Sequence, residues 1–128
     1  MKSTVRVGLF ALVLALGGAP AASADRVDPW LGTWSNPQPA QGDVTKVEVA
    51  NPAYGTAKAH AWSGATDWGI NGSILMGTDL VADYETPTHY IELRMHTPAD
   101  GKMDYELQLR LKATMRTVGD LHGTLARQ

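Results

Sequence analysis

Apolar and polar side chains alternate one by one along most of this chain. The cleanest run is "MDYELQLRLKA". Met103, Tyr105, Leu107, Leu109, Leu111 and Ala113 fall on one face of an extended strand. Asp104, Glu106, Gln108, Arg110 and Lys112 fall on the other. A period of two is the signature of a strand with one buried face, and a helix would scatter the same apolar residues around its circumference. "HYIELRMH", His89 to His96, does the same, with Ile91, Leu93 and Met95 opposite Tyr90, Glu92, Arg94 and His96. Between the two runs lies "TPADGK", where Pro98 and Asp100-Gly101 signal a tight reversal. The pattern predicts one antiparallel hairpin here.

Weaker runs fill the rest. "WLGTWSN" (Trp30 to Asn36), "VTKVEVAN" (Val44 to Asn51) and "TAKAHAW" (Thr56 to Trp62) read as strands, the last with Ala57, Ala59 and Ala61 on one face. "INGSILMG" and "DLVADYE" follow with Gly77 between them. "TMRTVGDLHGTLAR" closes the chain, and Gly119-Asp120 is a place where it would bend or break. A short helix fits "DRVDPW", and no later segment carries a stripe of period 3.6. Seven or eight short strands joined by hairpin-length turns predict an all-β domain. One-sided alternation and sequential neighbours favour a small antiparallel up-and-down barrel over a β-sandwich, the alternative.

The N-terminus breaks this pattern. Lys2 and Arg6 precede an uncharged apolar run, Gly8 to Gly18, and Ala22-Ser23-Ala24 follows. That order is the secretory one, and the run is shorter than the roughly 20 residues that span a bilayer. The reading is a signal peptide over 1–24 and one barrel domain over 25–128, secreted or periplasmic. No Cys follows the cleavage site, so no lipid anchor is expected.

Composition narrows the function. Without Lys2 and Arg6, nine of the eleven Lys and Arg remain against thirteen Asp and Glu, a net charge of −4. A mildly acidic surface without charge runs argues against nucleic acid as a partner. The chain has no cysteine, which removes disulfides, thiol chemistry and Cys-ligated metal. The serines after the leader are Ser35, Ser63 and Ser73, and none stands in a Gly-x-Ser-x-Gly elbow. His60, His89, His96 and His122 form no metal-ligand spacing, and no phosphate-binding Gly-rich loop exists. Most acids alternate with core residues and so face water. The expectation is a protein without catalytic activity, cofactor or metal.

Four tryptophans, Trp30, Trp34, Trp62 and Trp68, stand beside four tyrosines and a single phenylalanine. Indole offers a flat apolar face and one N–H donor, which suits both the lining of a cavity and the plugging of a barrel end. The stretch "AHAWSGATDWG" reads as strand, Gly-containing turn and next strand, with both rings toward the barrel mouth.

"LGTWSNPQP", "VTKVEV" and "AHAWSGATDWG" together resemble the opening of small secreted bacterial domains of uncharacterised function. Those carry a Gly-x-Trp-x-Asn opening and a later Asp-Trp-Gly turn, commonly with cysteines that are absent here. "GTWSN" (Gly32 to Asn36) also resembles the first strand of avidin- and lipocalin-type barrels, in which Gly-x-Trp closes one end and Asn and Ser nearby touch the ligand in avidins. That likeness implies a barrel and makes Asn36 and Ser35 candidates. Bacterial inhibitors of secreted metalloproteases use a similar barrel, with an N-terminal tail that enters the protease cleft, and that likeness makes Asp25 to Pro29 a candidate tail. The functional expectation is an exported binding protein for a small apolar or amphipathic ligand, with Asn36, Trp34, Trp62, Trp68, Tyr84 and Tyr90 as binding residues. The alternative is a secreted module that binds another extracytoplasmic protein, such as a protease inhibitor.

Overall fold

A computed structural model describes residues 26–38, 43–51 and 57–128; the expected leader, residues 1–24, lies outside them. A single 3-10 turn, Asp28–Trp30, enters a closed barrel of eight antiparallel strands in sequence order. They are β1 (Gly32–Ser35), β2 (Lys46–Ala50), β3 (Lys58–Ser63), β4 (Thr66–Met76), β5 (Asp79–Glu85), β6 (His89–Met95), β7 (Lys102–Leu111) and β8 (Thr117–Arg127). Each strand pairs with its neighbour in sequence, and β1 with β8 closes the ring. The up-and-down barrel is therefore the fold, and the sandwich is not.

Alternation places the core as expected. Met103, Tyr105 and Leu107 on β7 and Ile91, Leu93 and Met95 on β6 are buried, facing inward opposite the polar set. Across the ring they meet Trp34, Val47, Ala59, Ala61, Leu80, Tyr84 and Leu125 in one cluster. Full burial of a leucine-sized side chain is worth about 1.5–3 kcal/mol, so this shared lining carries the fold without a disulfide. The alternation ends sooner than the sequence suggested. Leu111 is half-buried, and Ala113 is exposed in the β7–β8 turn.

Local chemistry sets the connections. Ala99 and Lys102 exchange backbone hydrogen bonds at 3.0 Å around Asp100 and Gly101, whose φ values are 55° and 73°. Two positive φ values in a two-residue turn are what Asp-Gly accommodates, and their twist matches that of the flanking strands. The last strand bends but does not break. Leu109 pairs with Gly119 and Arg110 with Thr117, so Val118 is an extra residue in a bulge. A second bulge lies in β4, where Ala61 pairs with Gly69 and Trp62 with Asp67, leaving Trp68 extra. A bulge re-aims the side chains around it.

Candidate binding cleft on the outer surface of the barrel

The two ends of the barrel differ. At the end where the chain enters, Trp30 Nε1 donates to the carbonyls of Met95 (3.2 Å) and His96 (3.1 Å). Trp34, fully buried, donates from Nε1 to the Trp30 carbonyl at 2.8 Å. Arg127, near the end of β8, donates to the carbonyls of Leu31 (2.6 Å) and Pro29 (3.0 Å). Its guanidinium carbon lies 4.2 Å from the Trp34 ring centroid. This geometry explains Gly-x-Trp in physical terms. Gly32 has φ 120°, and a Cβ there would stand 2.9 Å from Arg127 Nη1. Only glycine both adopts that backbone and leaves the guanidinium its path. Both indole N–H groups are satisfied by backbone, so Trp30 and Trp34 form a plug.

The same clamp holds the N-terminal segment. Val27 and Trp30 are buried and the Pro29 carbonyl is held by Arg127. Among the described residues, the segment expected to act as a tail is packed on the barrel; Asp25 lies outside them.

At the opposite end lie the turns after β1, β3, β5 and β7. Trp68 is partly buried against the core, its ring 5.9 Å from Tyr84 and tilted by 41°. Tyr84 is 1% exposed and donates from its hydroxyl to the Ala59 carbonyl at 2.7 Å. Burial, and then the neighbouring Asp83, push its phenol far above the ordinary tyrosine range. The alanines of β3 thus face the buried core cluster, with the Tyr84 ring reaching across to them.

Trp62 faces outward, on the same side of β3 as His60. Their rings stack at 3.7 Å and 21°, and Lys46 Nζ lies 4.9 Å from the indole centroid. Asp67 accepts from or shares a proton with His60 Nε2 at 2.6 Å and accepts from the Gly69 N–H at 2.7 Å. The Gly69 N–H first, and His60 second, hold the Asp67 carboxyl below its ordinary range. Asn36 donates from Nδ2 to the Val44 carbonyl at 3.1 Å, behind the β1–β2 connection. Of the six expected binding residues, then, Trp34 is in the plug, Trp62 is outside, Asn36 is on another side, Trp68 packs on Tyr84, and only Tyr84 and Tyr90 share a cleft.

Tyr84 and Tyr90 belong to a cleft of about 400 Å³ over the outer surface of β5–β7. Two cross-strand rows floor it. Asp83 pairs with Glu92 and Glu92 with Gln108; Glu85 pairs with Tyr90 and Tyr90 with Arg110. Tyr84 and Ile91 reach it from the inner register, and Met115 of the β7–β8 turn stands at its rim. Ladder pairing of β4 with β5 stops at Ser73 and Ala82, and beyond it Asn71 donates from its side chain to the Asp83 carbonyl. Lys112 pairs with Glu85 at 2.7 Å and lies 5.2 Å from the Tyr90 centroid. Arg94 reaches Glu92 at 3.4 Å. Asp83 has no cationic partner among the described residues. Burial first, and the like charge of Glu92 directly across the ladder second, raise its carboxyl above the ordinary range. Like charges facing each other across a ladder are destabilising.

Arg110, Asp83, Glu92, Asn71 and Met115 were not expected here. Their outward parity is readable from the alternation, but their meeting depends on register. A second cleft, about 410 Å³, lies over β6–β8 by His96, His122 and Asp104. Among the described residues no group of three or more His, Asp or Glu is arranged to hold a metal ion. No known protein family, no curated protein and no solved structure matches this chain.

Proposed function

We propose that this chain is an exported, non-catalytic binding protein whose site is the cleft over β5–β7, taking a small amphipathic ligand with a cationic head. The observation that carries the reading is the partnerless Asp83 carboxylate facing Glu92, beside the Tyr90 ring and the apolar surface of Ile91 and Met115. An amine or guanidinium there relieves the like-charge pair, and an aromatic face adds a further attraction for a cation. The apolar body of the ligand covers Tyr90 and Met115, both substantially exposed. The leader-like sequence over 1–24 supports export. The Gly32-x-Trp34 closure supports the likeness to avidin- and lipocalin-type barrels, with the difference that the proposed ligand sits on the outer surface of the barrel.

A second reading gains from that outward position. Recognition on the outer surface suits a module that docks another extracytoplasmic protein, whose Lys or Arg side chain would enter the same cleft.

Trp68, packed toward Tyr84, is the reporter. Titration with dodecyltrimethylammonium below its micellar concentration should change Trp fluorescence saturably, and dodecyl sulfate should not. Asp83→Asn and Tyr90→Ala should each weaken the response. A response equal for both detergents, or unmoved by either substitution, would reject the site.

A further inference from the structure

The barrel is closed by a short seam. β1 pairs with β8 only at Trp34–Arg127 and Ser35–Ala126, although β8 continues back to Thr117. The sequence supplies the reason. After Asn36, whose N–H donates to the Thr45 carbonyl, comes Pro37, which has no N–H to give a ladder. β1 therefore cannot follow β8 further.

Backbone directions along β8 follow from two bonds. The Arg127 N–H donates to Gly101 on the β7 side, and the Gln128 N–H donates to Thr33 on the β1 side. These directions alternate along a strand, so the N–H and C=O groups of Asp120, His122 and Thr124 point away from β7. Among the described residues they meet no backbone partner. All three residues are exposed. A row of free donors and acceptors on an extended edge is a template for another strand.

We propose that the occupant of this edge is a second copy of the same chain, pairing β8 to β8 antiparallel about a two-fold axis at Leu121. Charge selects that partner and that register. With Leu121 facing Leu121 across the axis, Asp120 of each copy stands opposite His122 of the other. Sliding the strands by two residues sets Asp120 opposite Asp120 or His122 opposite His122, which is unfavourable. Asp120 and His122 of one chain lie 3.7 Å apart, so the pair exchanges a loose contact within one copy for a cross-strand one between copies. Gly119 and Gly123 fall opposite each other and present no side chain to obstruct the approach. The two-fold operator makes the contact isologous and closed, so it ends at a dimer.

Sedimentation equilibrium of the purified protein across a wide concentration range tests this. The wild type should form a reversible dimer. Asp120→Lys and His122→Glu should each weaken it about tenfold, because each change acts twice across the axis, and the double variant D120K/H122E should restore it. His122→Pro removes an N–H that faces away from β7, so it should abolish dimerisation while circular dichroism still reports the barrel. A monomer at every concentration, a dimer indifferent to the single reversals, or a double variant as weak as the singles would overturn the proposal.

Discussion

Tyr105 and Gly123 face each other across β7 and β8, and the ring lies over the glycine. A Cβ built on Gly123 stands 2.5 Å from Tyr105 Oη and 2.6 Å from both Cε2 and Cζ. Carbon atoms pack at about 3.5–4.0 Å, so Gly123→Ala demands a displacement on the order of 1 Å. Tyr105 is 1% exposed and has little room to give it. Overpacking of this kind costs about 1–3 kcal/mol, and restricting the unfolded chain returns about 0.4–1 kcal/mol. The net loss should be about 1–2 kcal/mol. For a domain of this size each 1 kcal/mol lowers Tm by about 4–8 °C, so calorimetry should place the variant about 5–15 °C below wild type. Gly119→Ala should cost less, because its Cβ meets only the flexible end of Leu109, at 3.0 Å. Adding Tyr105→Leu to Gly123→Ala should recover part of the loss, a coupling that a double-mutant cycle reads directly. An unchanged or higher Tm for Gly123→Ala would refute the argument, and so would strict additivity.

The remaining expectations concern Tyr105 again and three other places. The Tyr105 hydroxyl is buried beside Asn36 and Val44 and makes no hydrogen bond of full geometry among the described residues, so Tyr105→Phe should lower stability in urea by no more than about 1 kcal/mol. Arg127→Ala removes both carbonyl contacts and the cover over Trp34, and should shift Trp emission to the red and lower the urea midpoint; an unshifted spectrum would show that the plug does not need it. His96 bridges Asp79 at 2.8 Å and Glu106 at 3.0 Å. The hydrogen bond that His96 Nδ1–H donates to the Asp79 carboxylate is the main cause that raises its pKa, with Glu106 adding to it. A raised histidine pKa stabilises the fold below the unfolded value of about 6.5, and the gain is lost as pH rises through the higher folded value. Asp79 behaves inversely: burial opposes its charge, but bonds to His96 and Arg94 outweigh that and hold it low, so its contribution is lost in acid. The Tm difference between wild type and His96→Gln should therefore be larger at pH 6 than at pH 8, and the reverse order would contradict the bridge. Leu107→Asp places an unpaired charge in the core and should abolish cooperative melting, whereas native-like melting would contradict the inward assignment of β7.

Much of the barrel was readable before any coordinates. A side chain's face in a strand is a matter of parity, and parity is local. It placed Leu107, Leu93 and Ala59 inside, and Glu92, Arg94 and His60 outside. The Asp100-Gly101 turn was equally local, because its chemistry lies in two adjacent φ angles. The same parity assigns Trp62 to the face of His60, so its outward position was already implied by the alanines between them.

The candidate cleft was not readable, for a physical reason. Asp83, Glu92, Gln108, Tyr90 and Arg110 come from three strands, and a shift of one residue in register sends each to a different neighbour. Register follows from turn geometry, bulges and closure acting together, and no single stretch encodes it. Trp68 shows this most simply: one extra residue opposite Ala61 and Trp62 sets it beside Tyr84. The plug is similar, since Gly32 is explained only by Arg127, which arrives from the far end of the chain once the ring has closed. Local alternation thus decided which way each residue faces, while the closing of the sheet decided whom it meets.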